Sequence, residues 1–157
     1  MNEKEIREAS LTLLESADAA YFTTIDEQGY PQTRCMFNLR NRVKFPKLIE
    51  MFEPHAGDFM ILFTTNTSSD KIAHIKMNPA VCVYYCKPDD FHGLMLSGTI
   101  ELVSDAKIKE RLWHDGWERY YPTGPHDPDH TVLKLLPTKA KGWYKGRKVE
   151  FKFEVAE

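Results

Sequence analysis

Residues 63–71 read Phe63-Thr64-Thr65-Asn66-Thr67-Ser68-Ser69-Asp70-Lys71. The run leading into them, Phe59-Met60-Ile61-Leu62-Phe63-Thr64, is apolar and has the length of a buried strand. It stops in a hydroxyl-rich turn, and Ser69 to Met77 then reads as a short helix closed by Asn78-Pro79. A turn of this kind suits a phosphate. Free backbone N–H groups and the positive end of the helix dipole meet the anion. The Thr and Ser hydroxyls add donors, and Lys71 adds a full positive charge. The competing reading is a capped surface helix, because Ser and Asp are ordinary N-caps.

Outward from this turn, strand and hairpin signals dominate. Residues 3 to 17 carry Ile6, Ala9, Leu13, Leu14 and Ala17 at helical spacing. Ala20 to Ile25 is rich in strand formers, Asp26 to Gly29 is a turn, and Pro31 to Asn38 is the returning strand. Pro46, Pro54 and Gly57 break the stretch from Arg40 to Asp58, which reads as an irregular connection with at most a short strand. Val81 to Cys86 and Leu94 to Val103 are strands, the second crossing Gly98, where a kink or bulge is expected. Asp105 caps an amphipathic helix with Ile108, Leu112, Trp113 and Trp117 on its apolar side, ending before Pro122. Thr131 to Leu136, Ala140 to Tyr144 and Val149 to Val155 close the chain as strands. Six to eight strands joined by hairpins, with two or three helices between, favour a largely antiparallel barrel over a doubly wound sheet.

The 157 residues have an ordinary globular composition, and a single domain spanning 1–157 is expected. A net charge of −2 provides no field to draw nucleic acid or an acidic membrane. The polar N-terminus does not read as a signal peptide, and no apolar run is long enough to span a bilayer. Cys35, Cys82 and Cys86 are an odd set, read as reduced thiols in a cytoplasmic protein. His126-Asp127-Pro128-Asp129-His130 has donor types for a metal, but its spacing is loose, and no metal is expected. Ser68-x-x-Lys71 matches a motif of penicillin-recognising enzymes whose other two motifs are missing here.

The order of parts resembles the flavin-binding split-barrel family related to pyridoxamine 5'-phosphate oxidase, in its short general-stress-protein branch. The residues that carry the resemblance are Pro31 to Met36, Phe63 to Thr65, Ser69-Asp70-Lys71 with Asn78-Pro79, Val81 to Tyr85, Leu96 to Val103, Trp113, Tyr121 to Pro128 and Trp143. It implies a six-stranded antiparallel split β-barrel with flanking helices. It also implies a homodimer holding FMN at the subunit interface. By position, Arg34 and Lys71 match the phosphate-binding cations and Ser69 the hydroxyl beside them. Phe63, Thr64 and Thr65 match the stretch lining the cofactor, and Cys35 and Met36 offer backbone groups to the ring edge. Trp113 and Trp143 match tryptophans of the branch, although Trp113 and Trp117 at i,i+4 also fit ordinary core packing.

The resemblance also has departures. Leu39 stands where the oxidases proper carry a second basic residue, and Arg40 beside it points to the opposite face of a regular strand. Asp70 replaces an arginine before the phosphate lysine, and no Arg- and His-rich motif follows Trp143. Oxidation of pyridoxamine phosphate is therefore not expected. The reading is an FMN-dependent oxidoreductase fed by a nicotinamide nucleotide or another small donor. The alternative is a non-catalytic flavin-binding stress protein acting as buffer or sensor. Haem and a deazaflavin are the other ligands that relatives bind.

Overall fold

The computed structural model describes residues 1–154. Helix α1, Glu3–Ser16, starts at a reciprocal cap in which the Asn2 side chain accepts from the Glu5 N–H and the Glu5 carboxylate from the Asn2 N–H. Strands β1, Ala19–Ile25, and β2, Pro31–Phe37, form the first hairpin. Its turn is held by Asp26, whose carboxylate accepts from the N–H groups of Gln28 and Tyr30, and by Gly29 at φ +85°. Then come α2, Ile49–Phe52, β3, Ile61–Asn66, α3, Asp70–Met77, and β4, Ala80–Lys87. The long β5, His92–Val103, is followed by α4, Ala106–Leu112, β6, His130–Leu135, β7, Lys139–Tyr144, and β8, Arg147–Lys152.

All pairings are antiparallel, in one curled sheet of order β2-β1-β4-β5-β6-β3. The expected six strands are this path; the hairpin β7–β8 adds two more through β5. Strand β5 serves two partners, pairing β7 over Gly93–Ser97 and β6 over Ile100–Val103. Gly98 sits at the changeover, where a Cβ would lie 3.1 Å from the Leu136 carbonyl oxygen and from Leu135 Cδ1. The glycine seen in the sequence as a kink is thus where the sheet changes partners.

Two apolar clusters sandwich β3 and β6. Leu13, Phe22, Phe63, Val83, Tyr85, Leu94, Leu96 and Leu133 fill the interior of the curl. Leu39, Phe45, Leu48, Phe52, Leu62, Leu112, Trp117 and Val132 pack on the other side. Burial on both faces explains why residues 59–63 are continuously apolar rather than alternating.

The sequence reading departs from the structure in three places. Residues 46–55 are helical, α2 flanked by two 3-10 turns, and hold no strand. Arg40 tethers this connection from beyond the end of β2: buried, it donates from Nε to the Met60 carbonyl and from Nη2 to that of His55, each at 2.9 Å. Helix α4 stops at Leu112, ten residues before Pro122, and Gly116 at φ +98° opens a 3-10 turn at Trp117–Arg119. The last strand ends at Lys152; Val155, read as its end, lies outside the described residues.

Candidate functional site

The strand path begins at β2 and ends at β3, so each has one edge without a ladder partner in this sheet. Such edges leave backbone N–H and C=O groups in need of partners. Beside them lies a cleft of about 860 Å³, lined by Cys35 to Asn38 from the end of β2 and Thr64 to Asn66 from the end of β3. Lys71 closes one part of it, and residues 114–121 with Phe45 form the opposite wall.

The cationic part is built by the stretch quoted first. Ser69 holds the N-cap position of α3 but makes no capping bond with its side chain. Its hydroxyl instead accepts from Lys71 Nζ at 3.3 Å, and Thr65 Oγ1 accepts from the same ammonium at 2.9 Å. Arg34 approaches from β2. Its Nη1 donates to Thr24 Oγ1 at 2.7 Å, to the Gln32 carbonyl at 2.8 Å and to the Phe22 carbonyl at 3.4 Å. Among the described residues its hydrogen bonds all leave from Nη1, so Nη2 and Nε remain available to an anion. Burial, and then the charge of Arg34, push the Lys71 ammonium below its ordinary pKa, against the pull of Asp70. Two half-buried cations that raise each other's energy form a site that an anion relaxes.

Behind the turn is a brace. Asp129 accepts from the Ser68 N–H at 2.8 Å and from Asn66 Nδ2 at 2.7 Å, while its own carbonyl accepts from the Thr67 N–H at 2.7 Å. Asp127 accepts from the Thr123 N–H and hydroxyl and from the Asp129 N–H, each at 2.9 Å. These bonds hold both carboxyls below the usual carboxylate range. Among the described residues no group of three or more His, Cys, Asp or Glu side chains could hold a metal ion.

The other part of the cleft is aromatic. The ring of Trp117 stacks on Phe37 at 6.0 Å between centroids and 10° between planes, with Tyr120 edge-on to Phe37 at 6.2 Å. The cleft thus joins a cationic part at Lys71 to an aromatic part at Phe37, Trp117 and Tyr120. It can hold a molecule with an anionic end and a flat apolar end.

Cys35, Met36, Thr64, Thr65 and Lys71 line the cleft, and Ser69 adjoins it through its bond to Lys71. Arg34 is not in the lining; it stands near enough to Lys71 for its charge to act on that ammonium. The structure does not bring Phe63, Trp113 and Trp143 into the cleft lining. Phe63, 1 % exposed, packs on Phe22 at 4.9 Å in the interior. Trp113 packs behind the wall against Trp117, Tyr121 and His130. Trp143, 45 % exposed, stands on β7 opposite Gly93. Sequence reasoning missed Phe37, Phe45 and the wall at 117–121. The signal was there in Gly116 followed by Trp117, Tyr120 and Tyr121, an aromatic cluster where a helix was expected.

The family model described as pyridoxamine 5'-phosphate oxidase matches residues 6–144. A Clostridium acetobutylicum protein, described as related to general stress protein 26 of B. subtilis in the pyridoxinephosphate oxidase family, is 32% identical over 96% of each chain, with a TM-score of 0.76. General stress protein 26 of Bacillus anthracis superposes with a TM-score of 0.69 at 17% identity, covering 94% of this chain and 99% of its own. A haem-binding protein of Mycobacterium smegmatis has the same fold at 12% identity, with a TM-score of 0.65 over 93% of this chain and 57% of its own. No curated protein matched. The chain belongs to the pyridoxamine 5'-phosphate oxidase family, in its general stress protein 26 branch.

Proposed function

We propose that this protein binds FMN in the cleft between β2 and β3 and acts as an FMN-dependent oxidoreductase. The observation that carries the reading is that Lys71, held by the Thr65 and Ser69 hydroxyls and with Arg34 near enough for its charge to act on it, lines one part of a cleft whose other part is aromatic. Arg34 Nη2 and Nε and Lys71 Nζ would hold the phosphate. The unpaired edge of β2 at Cys35 to Phe37 would supply backbone groups to the polar rim of the ring, and Phe37 with Trp117 an apolar flank. When bound, the flavin supplies the electron or hydride transfer. The protein's share is to bind, orient and exclude water. Leu39 and the buried, carbonyl-bound Arg40 leave the oxidases' second basic position unfilled, which argues against pyridoxamine phosphate as substrate. A nicotinamide nucleotide or another small molecule is the proposed donor.

The functional unit we propose is a homodimer. The outer face of the sheet carries Cys35, Tyr21, Tyr84 and Met95 in one cross-strand row, with Phe37 and Trp143 beside it. Tyr21, Tyr84, Phe37 and Trp143 are all exposed in the single chain. A second copy on this face would bring Trp143 into the vicinity of a cofactor.

The test is titration of the purified protein with FMN, riboflavin and haem, followed by visible absorbance and flavin fluorescence. Saturable binding with FMN strongly preferred over riboflavin is the expected outcome. Binding of haem alone, or indifference to the phosphate, overturns the assignment. A non-catalytic flavin buffer or sensor is the second reading, motivated by the missing substrate motif after Trp143. Multiple turnover with NADH or NADPH would eliminate it.

A further inference from the structure

Arg34 and Lys71 stand on different elements, β2 and α3. A phosphate held by both needs the distance between them fixed beforehand. Lys71 is held from its own side, by Thr65 at the end of β3 and Ser69 before α3. Arg34 is held from β1. It lies opposite Phe22 in the hairpin ladder, and Thr24, fully buried, accepts from its Nη1 at 2.7 Å. His74 links the two sides. It follows Lys71 by three residues on α3, so the two are neighbours along one helix. It is 8 % exposed, and its Nδ1 lies 2.9 Å from the same Thr24 hydroxyl.

A threonine hydroxyl with a single partner can turn about χ1. With Arg34 on one side and His74 on the other it is held in one rotamer. This is true for either tautomer of the ring. Thr24 Oγ1 keeps a lone pair for Arg34 whether it donates its hydrogen to a bare Nδ1 or accepts from Nδ1–H. Arg34 Nη1 also donates to the Gln32 carbonyl at 2.8 Å and to the Phe22 carbonyl at 3.4 Å, both within the β1–β2 hairpin. Of these three acceptors, Thr24 is the one bonded in turn to α3.

We propose that His74 is a positioning residue. Through Thr24 it ties the guanidinium of Arg34 to the helix that carries Lys71, and so fixes the spacing at which the two cations grip one phosphate monoester. The inference rests on the FMN reading for the identity of that ligand. Its consequence is selective: His74 acts on the phosphate end and not on the aromatic end of the cleft.

The test is fluorescence titration with FMN and with riboflavin of the wild type, His74→Leu, His74→Asn, Thr24→Val and the double variant Thr24→Val with His74→Leu. His74→Leu should weaken FMN about 2- to 5-fold, the worth of one indirect hydrogen bond, and leave riboflavin unmoved. His74→Asn, whose side-chain amide can reach Thr24 from the place of Nδ1, should restore most of the loss. The double variant should bind FMN as Thr24→Val does, because both changes cut the same tie. In the 15N-labelled wild type, the His74 ring signals should move with FMN and with inorganic phosphate and stay in place with riboflavin. Those signals are the ones missing in His74→Asn or, should that variant not fold, the ones displaced in Thr24→Val. Additive losses, riboflavin weakened as much as FMN, or ring signals that ignore phosphate overturn the positioning role and leave the FMN reading standing. A wild type that takes up no FMN overturns that reading. The inorganic phosphate titration then decides the positioning role, a shift of the His74 signals upholding it and unmoved signals overturning it.

Discussion

Arg34 and Lys71 are ordinary surface residue types placed where each is held by hydroxyls. Thr24 illustrates how. Its hydroxyl accepts from Arg34 Nη1 at 2.7 Å and lies 2.9 Å from His74 Nδ1, so the guanidinium is fixed from behind. Replacing Lys71 by Ala should weaken FMN binding by about 1.5–3 kcal/mol, the usual worth of a hydrogen bond to a charged group. Fluorescence titration checks this, and an unchanged affinity would remove Lys71 from the phosphate site. Thr24→Val should release Arg34 and weaken FMN by about 1 kcal/mol, with the riboflavin affinity unmoved because no phosphate is involved. At this scale the sequence was partly legible. Lys71, Ser69 and the two threonines sit in one continuous stretch, so spacing alone groups them. Trp117 and Phe37 are 80 positions apart in the chain, and nothing local joins them.

The elements show a division of labour between the turn at 66–69 and the segment at 123–131 that braces it. Asp127 and Asp129 accept hydrogen bonds in the folded chain that the unfolded chain lacks, and their pKa values are lowered. Their contribution is therefore complete above the ordinary aspartate pKa near 3.8 and is lost as pH falls through the lower folded value. Circular dichroism during acid titration should show wild type losing structure in that window. Asp129→Asn should be less stable at neutral pH and show a flatter acid limb. It should also bind FMN more weakly, since the Ser68 N–H and Asn66 would lose their charged acceptor. An unaltered acid limb would mean that other carboxylates govern the transition. The sequence weighed this segment for metal binding because carboxylate and imidazole types look alike whether they face an ion or a backbone N–H. Helix α4 was read too long for a related reason: Trp113 and Trp117 keep helical spacing, but the backbone leaves the helix at Trp113 (ψ 130°), and Gly116 at positive φ opens a separate 3-10 turn.

For the whole molecule, the decisive feature is that the sheet curls without closing. The path from β2 to β3 leaves both end strands beside the cleft, and the outer face is left with exposed Tyr21, Tyr84 and Trp143. Tyr84 lies across Gly93, whose missing side chain makes room for the ring. Tyr84→Lys places a charge in the centre of the proposed dimer face. It should shift the protein toward monomer in analytical ultracentrifugation and reduce FMN affinity in parallel. A dimer that survives this change would place the interface elsewhere. Gly93→Ala, which displaces the Tyr84 ring without adding charge, should have the same effect in weaker form.

By itself the sequence determined the strand-rich, antiparallel class, the order of elements and the hydroxyl-rich turn that carries Lys71, because each rests on interactions between residues near in the chain. Hairpin turns, caps, periodicity and the Thr65–Ser69–Lys71 cluster are local. Tertiary structure alone decided that β5 changes partners at Gly98, that residues 46–55 are helical and that Phe37 meets Trp117 across the cleft. It also decided that His130 reaches Thr64 across 66 positions of chain. These depend on how a curled sheet brings distant side chains together, and on desolvation that no window of sequence contains.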